Sequence, residues 1–195
     1  MRHLALDVIR DEHQALAAML RSMSMLLAQA RREDTMPDFD VLRAMLFYVD
    51  EFPERLHHTK ESELLFPKVR QRVPELAAVL DRLDAEHARG EAAIRELEHA
   101  LLAFEVMGRP RRDAFEQAVE RYIRFYLEHM AVEEQQIIPA ARRALSEADW
   151  AELDAAFAAN QDPLTGQHEA TPDYAPLFRR IVMQAPAPIG LGAPH

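Results

Sequence analysis

The chain contains no cysteine. That absence excludes thiol nucleophiles, CxxC redox pairs, thiolate zinc sites and iron–sulfur ligation, and it agrees with a reducing compartment. Glycine is scarce, at 5 of 195 residues. Strand-like alternation is lacking, while Ala, Leu, Glu and Arg abound, so the composition is that of an all-α protein. Positive charge is in deficit: 23 Lys and Arg against 33 Asp and Glu leave a formal net charge of -10. Such a chain repels phosphate, and no nucleic-acid partner is expected. No run reaches the roughly 18 consecutive apolar residues of a membrane span. The opening MRHLALDVIRDEH brings in charge within a few residues, unlike a signal peptide. A cytoplasmic protein without a membrane anchor is the expectation. Its length suits one domain with an appendage and allows a core that needs no disulfide staple.

What is present is helical periodicity. Ile9, His13, Leu16, Leu20, Met23 and Leu27 recur at three- and four-residue steps and predict a helix from about Leu4 to Arg31. A second helix is expected to start at the N-cap Asp38 and carry Leu42, Met45, Leu46 and Val49. Pro53 interrupts it, and the pattern resumes to Pro67 or shortly after. Leu76, Leu80, Leu83, His87, Gly90, Ile94, Leu97, Leu101 and Phe104 mark a third helix, ending at Met107–Pro110. A fourth runs from about Arg112 to Ala144, and a short one follows the N-cap Ser146. Beyond Asn160 proline accumulates. Residues 161–195 read as a loosely docked tail with one short helix over Leu177–Met183. The predicted fold is an up-and-down antiparallel four-helix bundle over residues 1–160.

The chain repeats itself. IRDEHQALAAML around His13 resembles LDAEHARGEAAI around His87, and HHTKESELLFP from His57 resembles HMAVEEQQIIP from His129. Each half therefore carries a His, then His-x3-Glu, then Pro six residues after that Glu. The spacing from His13 to His57 is 44 residues and from His87 to His129 is 42. Residues i and i+4 share a helix face, so His57 with Glu61, and His129 with Glu133, can each grip a metal from one helix. His13 and His87 lie on apolar seams, where a polar ring is costly without a partner. Two such hairpins folded together bring four His and two Glu inside. This set suits two metal ions with both carboxylates bridging. Imidazole and carboxylate without sulfur favour iron or manganese over structural zinc.

These segments resemble the hemerythrin-like family, the HHE cation-binding domains, and the resemblance covers roughly residues 3–145. It implies a four-helix bundle around two oxo- or hydroxo-bridged non-haem irons, with manganese or zinc as alternatives. The implied ligands are His13, His57, Glu61, His87, His129 and Glu133. The oxygen carriers of the family have one more His, four residues after the position of His87; here that position is Glu91. The carriers also place the last carboxylate where Glu134 stands, whereas the internal repeat selects Glu133. Glu91 is expected either to join the metals or to support a ligand. The four-His, two-Glu pattern is also similar to iron–sulfur-repair di-iron proteins, but those carry an N-terminal cysteine segment.

Other residues have weaker signals. His58 points about 100° from His57 and is expected to face solvent or to back a ligand. Gly90 either leaves room for an exogenous ligand or lets helices pack closely. Tyr122 and Tyr126 face the side of His129, either toward a bound ligand or as core aromatics with bonded hydroxyls. His3, His99, His168 and His195 lack repeat partners and are expected at the surface. The functional expectation is a di-iron protein that binds or senses dioxygen or nitric oxide, or handles iron. The alternative is an enzyme acting on peroxide or nitric oxide, with Glu91 as its acid–base group. A monomer or homodimer is expected.

Overall fold

The computed structural model describes residues 2–166, 169 and 171–192. Among these the regular structure is helical and no strand occurs. Helix α1 spans Leu4–Arg32 and buries the predicted stripe of Ile9, His13, Leu16, Leu20, Met23 and Leu27. Helix α2, residues 39–72, starts where Asp38 accepts the backbone N–H groups of Asp40 and Val41. Helix α3, Ala77–Met107, stops at Gly108, whose φ of 74° is open to a residue without a side chain. Helix α4 covers 112–144. Helix α5, Glu147–Phe157, opens with a reciprocal cap between Ser146 and Asp149. Helix α6, Ala175–Gln184, is longer at both ends than its apolar residues predicted. No helix among the described residues is long and apolar enough to cross a membrane.

The prolines inside α2 and α4 widen these helices instead of ending them. A proline has no N–H to donate and its ring crowds the carbonyl four residues back. The chain accommodates this with π turns, in which a carbonyl accepts from the fifth residue on. The N–H of Phe66 bonds the carbonyl of Glu61 just before Pro67, and the N–H of Ile138 bonds that of Glu133 just before Pro139. A third π stretch, Asp50–His57, contains Pro53 itself. Both repeated glutamates thus open a π turn, a distortion concentrated at functional sites.

The core is split in two. One apolar cluster gathers Leu16, Met23, Leu42, Val49, Ile94, Phe104, Phe115 and Tyr126. The other gathers Ile9, Leu65, Phe66, Leu83, Ile137, Trp150 and Phe157. Between them lies a polar layer of His13, His57, Glu61, His87, His129 and Glu133, all buried. Going along the chain, α1 passes from the second cluster to the first, α2 returns, α3 repeats the first crossing and α4 the return. Each long helix crosses the polar layer once.

The proline-rich stretch is held more firmly than its composition suggests. Phe178 and Ile181 of α6 are buried in the first cluster against α2. Ser22 Oγ donates to the carbonyl of Pro186 at 2.9 Å, and Tyr48 Oη donates to Asp162 Oδ2 at 2.5 Å. His3, expected at the surface, stacks on Trp150 with ring centroids 4.2 Å apart. His99 is exposed as expected, and His168 and His195 lie outside the described residues.

Candidate metal centre

The structure brings all six sequence-derived residues to one place. His13 and His57 face each other with Nε2 atoms 3.2 Å apart; His87 and His129 do the same at 2.9 Å. Glu61 Oε2 lies 3.3 Å from His57 Nε2 and 3.6 Å from His87 Nε2. Glu133 reaches His13 Nε2 at 3.4 Å through Oε2, and His87 and His129 at 3.6 and 3.1 Å through Oε1. Each carboxylate therefore touches both histidine pairs. None of the six residues is more than 7% exposed.

The outer ring nitrogens fix what the inner ones can do. His57 Nδ1 meets Glu12 Oε2 at 2.7 Å and His129 Nδ1 meets Glu86 Oε2 at 2.9 Å. His87 Nδ1 meets Ser62 Oγ at 2.8 Å and His13 Nδ1 meets Glu134 Oε1 at 3.1 Å. With the Nδ1 protons directed outward, each neutral ring presents a bare Nε2 to the centre. Glu61 Oε2 and both Glu133 oxygens are buried with no hydrogen-bond donor. Buried carboxylate oxygens without donors, set among inward ring nitrogens, are costly by themselves and fit a cation.

Electrostatics agree. Burial pulls the His57 and His13 rings down, yet the surrounding carboxylates more than offset it and hold both above the usual imidazole value. His129 is likewise lowered by burial but raised overall to about 9 by Glu133 and Glu86. Glu133 is destabilised as an anion by burial, but the rings around it hold it well below the usual carboxylate range. The centre calls for positive charge, whether protons or metal.

Four sequence expectations resolve here. Glu134 is not inside the centre: its side chain is 50% exposed and it holds His13 from outside. Glu91 neither joins the metal site nor supports a ligand; it is exposed and pairs with Arg95 at 3.2 Å. Counting four residues on from His87 turns the helix back only approximately, and the face at 91 opens to water. His58 does not face solvent: it is 3% exposed, stacks on His87 at 4.3 Å and meets Glu54 Oε2 at 3.1 Å through Nδ1. Burial and then the neighbouring rings hold it well below the usual imidazole value, so it stays neutral. Tyr122 and Tyr126 donate to Glu54 Oε1 at 2.7 and 2.5 Å, as bonded core aromatics.

Gly90 serves close packing. A Cβ there would lie 1.8 Å from Tyr126 Oη and 2.9 Å from Glu54 Oε2. Gly90→Ala should therefore destabilise the fold by about 1–2 kcal/mol, overpacking outweighing alanine's better helix propensity. Adding Tyr126→Phe, which removes the atom in the way, should recover part of the melting temperature. An unchanged melting point in the single variant would refute the contact.

Residues 4–141 match the family profile described as "Hemerythrin HHE cation binding domain". The chain belongs to this family. Among curated relatives, uncharacterized proteins of Mycobacterium tuberculosis and Mycobacterium bovis are 28% identical over 106 residues, covering 54% of this chain and 41% of theirs. The chain thus spans about two fifths of the length of the curated relatives it matches. Family and buried His/Glu cluster both point to metal binding. Within this HHE domain, sequence reasoning missed Glu12, Glu86, Ser62 and Glu54. The first two had a signal: both copies read Glu-His, and each Glu holds the His-x3-Glu histidine of its own half. Ser62 and Glu134 occupy equivalent positions but differ in chemistry, which hides them from comparison of the halves.

Proposed function

We propose that this chain is a non-haem di-iron protein that binds or senses a small ligand such as dioxygen or nitric oxide, or handles iron. In this reading His13 and His57 hold one iron, His87 and His129 hold the other, and Glu61 and Glu133 bridge. The observation that carries it is the reach of each carboxylate to both histidine pairs. The alternating passage of α1 to α4 through the polar layer supports an up-and-down antiparallel bundle. Nitrogen and oxygen donors without sulfur suit iron, with manganese or zinc as competitors. A bound pair would supply redox-active, coordinatively open metal to a ligand from outside. The chain's own residues set what that ligand can be. Every ligating side chain is buried, which favours a molecule of a few atoms over a larger one. A binding role is favoured over turnover of peroxide or nitric oxide, because Glu91, the acid–base candidate, points into water.

Metal analysis and an absorption spectrum of freshly purified protein test the proposal. About two irons per chain with oxo-bridge bands in the near ultraviolet are expected, followed by spectral changes on stopped-flow mixing of the reduced protein with dioxygen or nitric oxide. A single zinc, or metal lost without any change in melting, would overturn the di-iron reading. Spectra indifferent to both gases would overturn the ligand-binding one.

A further inference from the structure

The two halves of the centre are alike inside and unlike outside. In the first half, Glu12 Oε2 meets His57 Nδ1 at 2.7 Å, and the same oxygen accepts from Asn160 Nδ2 at 3.0 Å. Asn160 is 3% exposed and lies beyond the stretch that matches the family. Its side-chain oxygen is held by the Lys60 ammonium, which also donates to the carbonyl of Ala156 at 2.9 Å. Phe157 sits edge-on to the His57 ring at 6.3 Å. In the second half, Glu86 meets His129 Nδ1 at 2.9 Å, but the Glu86 side chain is 17% exposed. Its other charged neighbour is Arg82 at 3.5 Å, itself 54% exposed, and no residue after 141 bonds it among the described residues.

The consequence is a difference in preorganisation. Glu12 is bonded twice on one oxygen and shielded from water, so its rotamer and the His57 tautomer are set before any metal arrives. Glu86 keeps more freedom and competes with solvent for His129. Ordering a side chain on binding lowers affinity, and outer partners of metal-bound histidines typically matter by about 10- to 100-fold. We infer that Asn160 is a positioning residue for the His13/His57 half, and that the C-terminal stretch makes this metal position the tighter of two unequal ones. The inference rests on the two-metal reading above.

Anaerobic titration of the metal-free full chain with ferrous iron, followed by calorimetry, tests it. The wild type should take up two ions in two steps separated by about 10-fold or more. Asn160→Asp keeps the size of the side chain and its contact with Lys60, but replaces the donor to Glu12 with a second anion. It should weaken the tighter step by about 10- to 100-fold and leave the weaker one unchanged. Glu86→Gln should weaken the other step instead. If Asn160→Asp loses its helical circular dichroism, Lys60→Met, which frees the far side of Asn160, should weaken the same tighter step. Two ions bound in indistinguishable steps, or a variant that shifts both steps or neither, would overturn the inference and leave the two-metal reading standing. Failure of the wild type to bind a second ion would overturn that reading itself.

Discussion

Glu133→Gln should abolish uptake of the second metal ion and weaken the first by about 100-fold. Glu133 is the only one of the six residues that approaches three of the four inward nitrogens within 3.6 Å, and it does so with both of its oxygens. Glutamine removes the negative charge and turns an N–H2 group toward rings whose inward atoms are lone pairs, so attraction becomes competition. The loss is expected to exceed a hydrogen bond, because at a buried site a metal's charge would be compensated chiefly by the nearby carboxylates. Two companion variants grade the effect. Glu134→Gln, which disturbs only the outside of His13, should keep both ions with affinity lowered by about 10-fold. Glu91→Ala should change nothing. Metal-to-protein ratios after dialysis separate the three, and two ions retained by Glu133→Gln would show that it does not bridge.

Metal removal should have an opposite pH dependence from metal loading. In the metal-free chain His129 is raised to about 9 from 6.5. A group raised on folding stabilises fully below its unfolded value, and that contribution is lost as pH rises through the folded one. The metal-free protein should thus lose stability between pH 6.5 and 9, by about 3 kcal/mol from this group. Binding of a cation needs Nε2 deprotonated, so loading strengthens over the same interval. Ligand at a thousandfold excess over its dissociation constant adds about 4 kcal/mol, which for a chain of this size is on the order of 10 °C in melting temperature. The gap between loaded and metal-free melting temperatures should widen steadily from pH 6.5 to 9. Parallel curves would mean that His129 does not give up a proton on metal binding.

The helices and the six inward residues were legible because they follow short-range rules. Three- and four-residue spacing marks a buried stripe, and an internal repeat of His, then His-x3-Glu, marks equivalent positions whatever the tertiary detail. What was not legible depends on contacts between distant segments. Nothing near Glu54 indicates that two tyrosines from α4 will converge on it. Nothing around Asn160, just ahead of the proline-rich stretch, indicates that it will reach Glu12, 148 residues earlier. Of the two places expected for His58, facing solvent or backing a ligand, the structure shows the second, stacked on His87, and the choice between them was not legible for a different reason. Rotation by about 100° from His57 assumes an ideal α-helix, but His58 closes a π turn over Pro53, its N–H bonding the Pro53 carbonyl. The prolines at 67 and 139 were visible as a repeat, yet their effect on the preceding glutamates follows from backbone geometry that a periodicity count does not contain.

A chain without cysteine has no disulfide cross-links, yet four of its helices send side chains to a single point. Metal bound there would close a loop of 44 residues between His13 and His57, and another of 42 between His87 and His129. Tying such loops removes chain entropy from the unfolded state, on the scale of about 4 kcal/mol for a single closure of this length in the case of a disulfide. The centre would then act as a reversible staple across the middle of the protein, fastened by metal supply and released by chelation or acid.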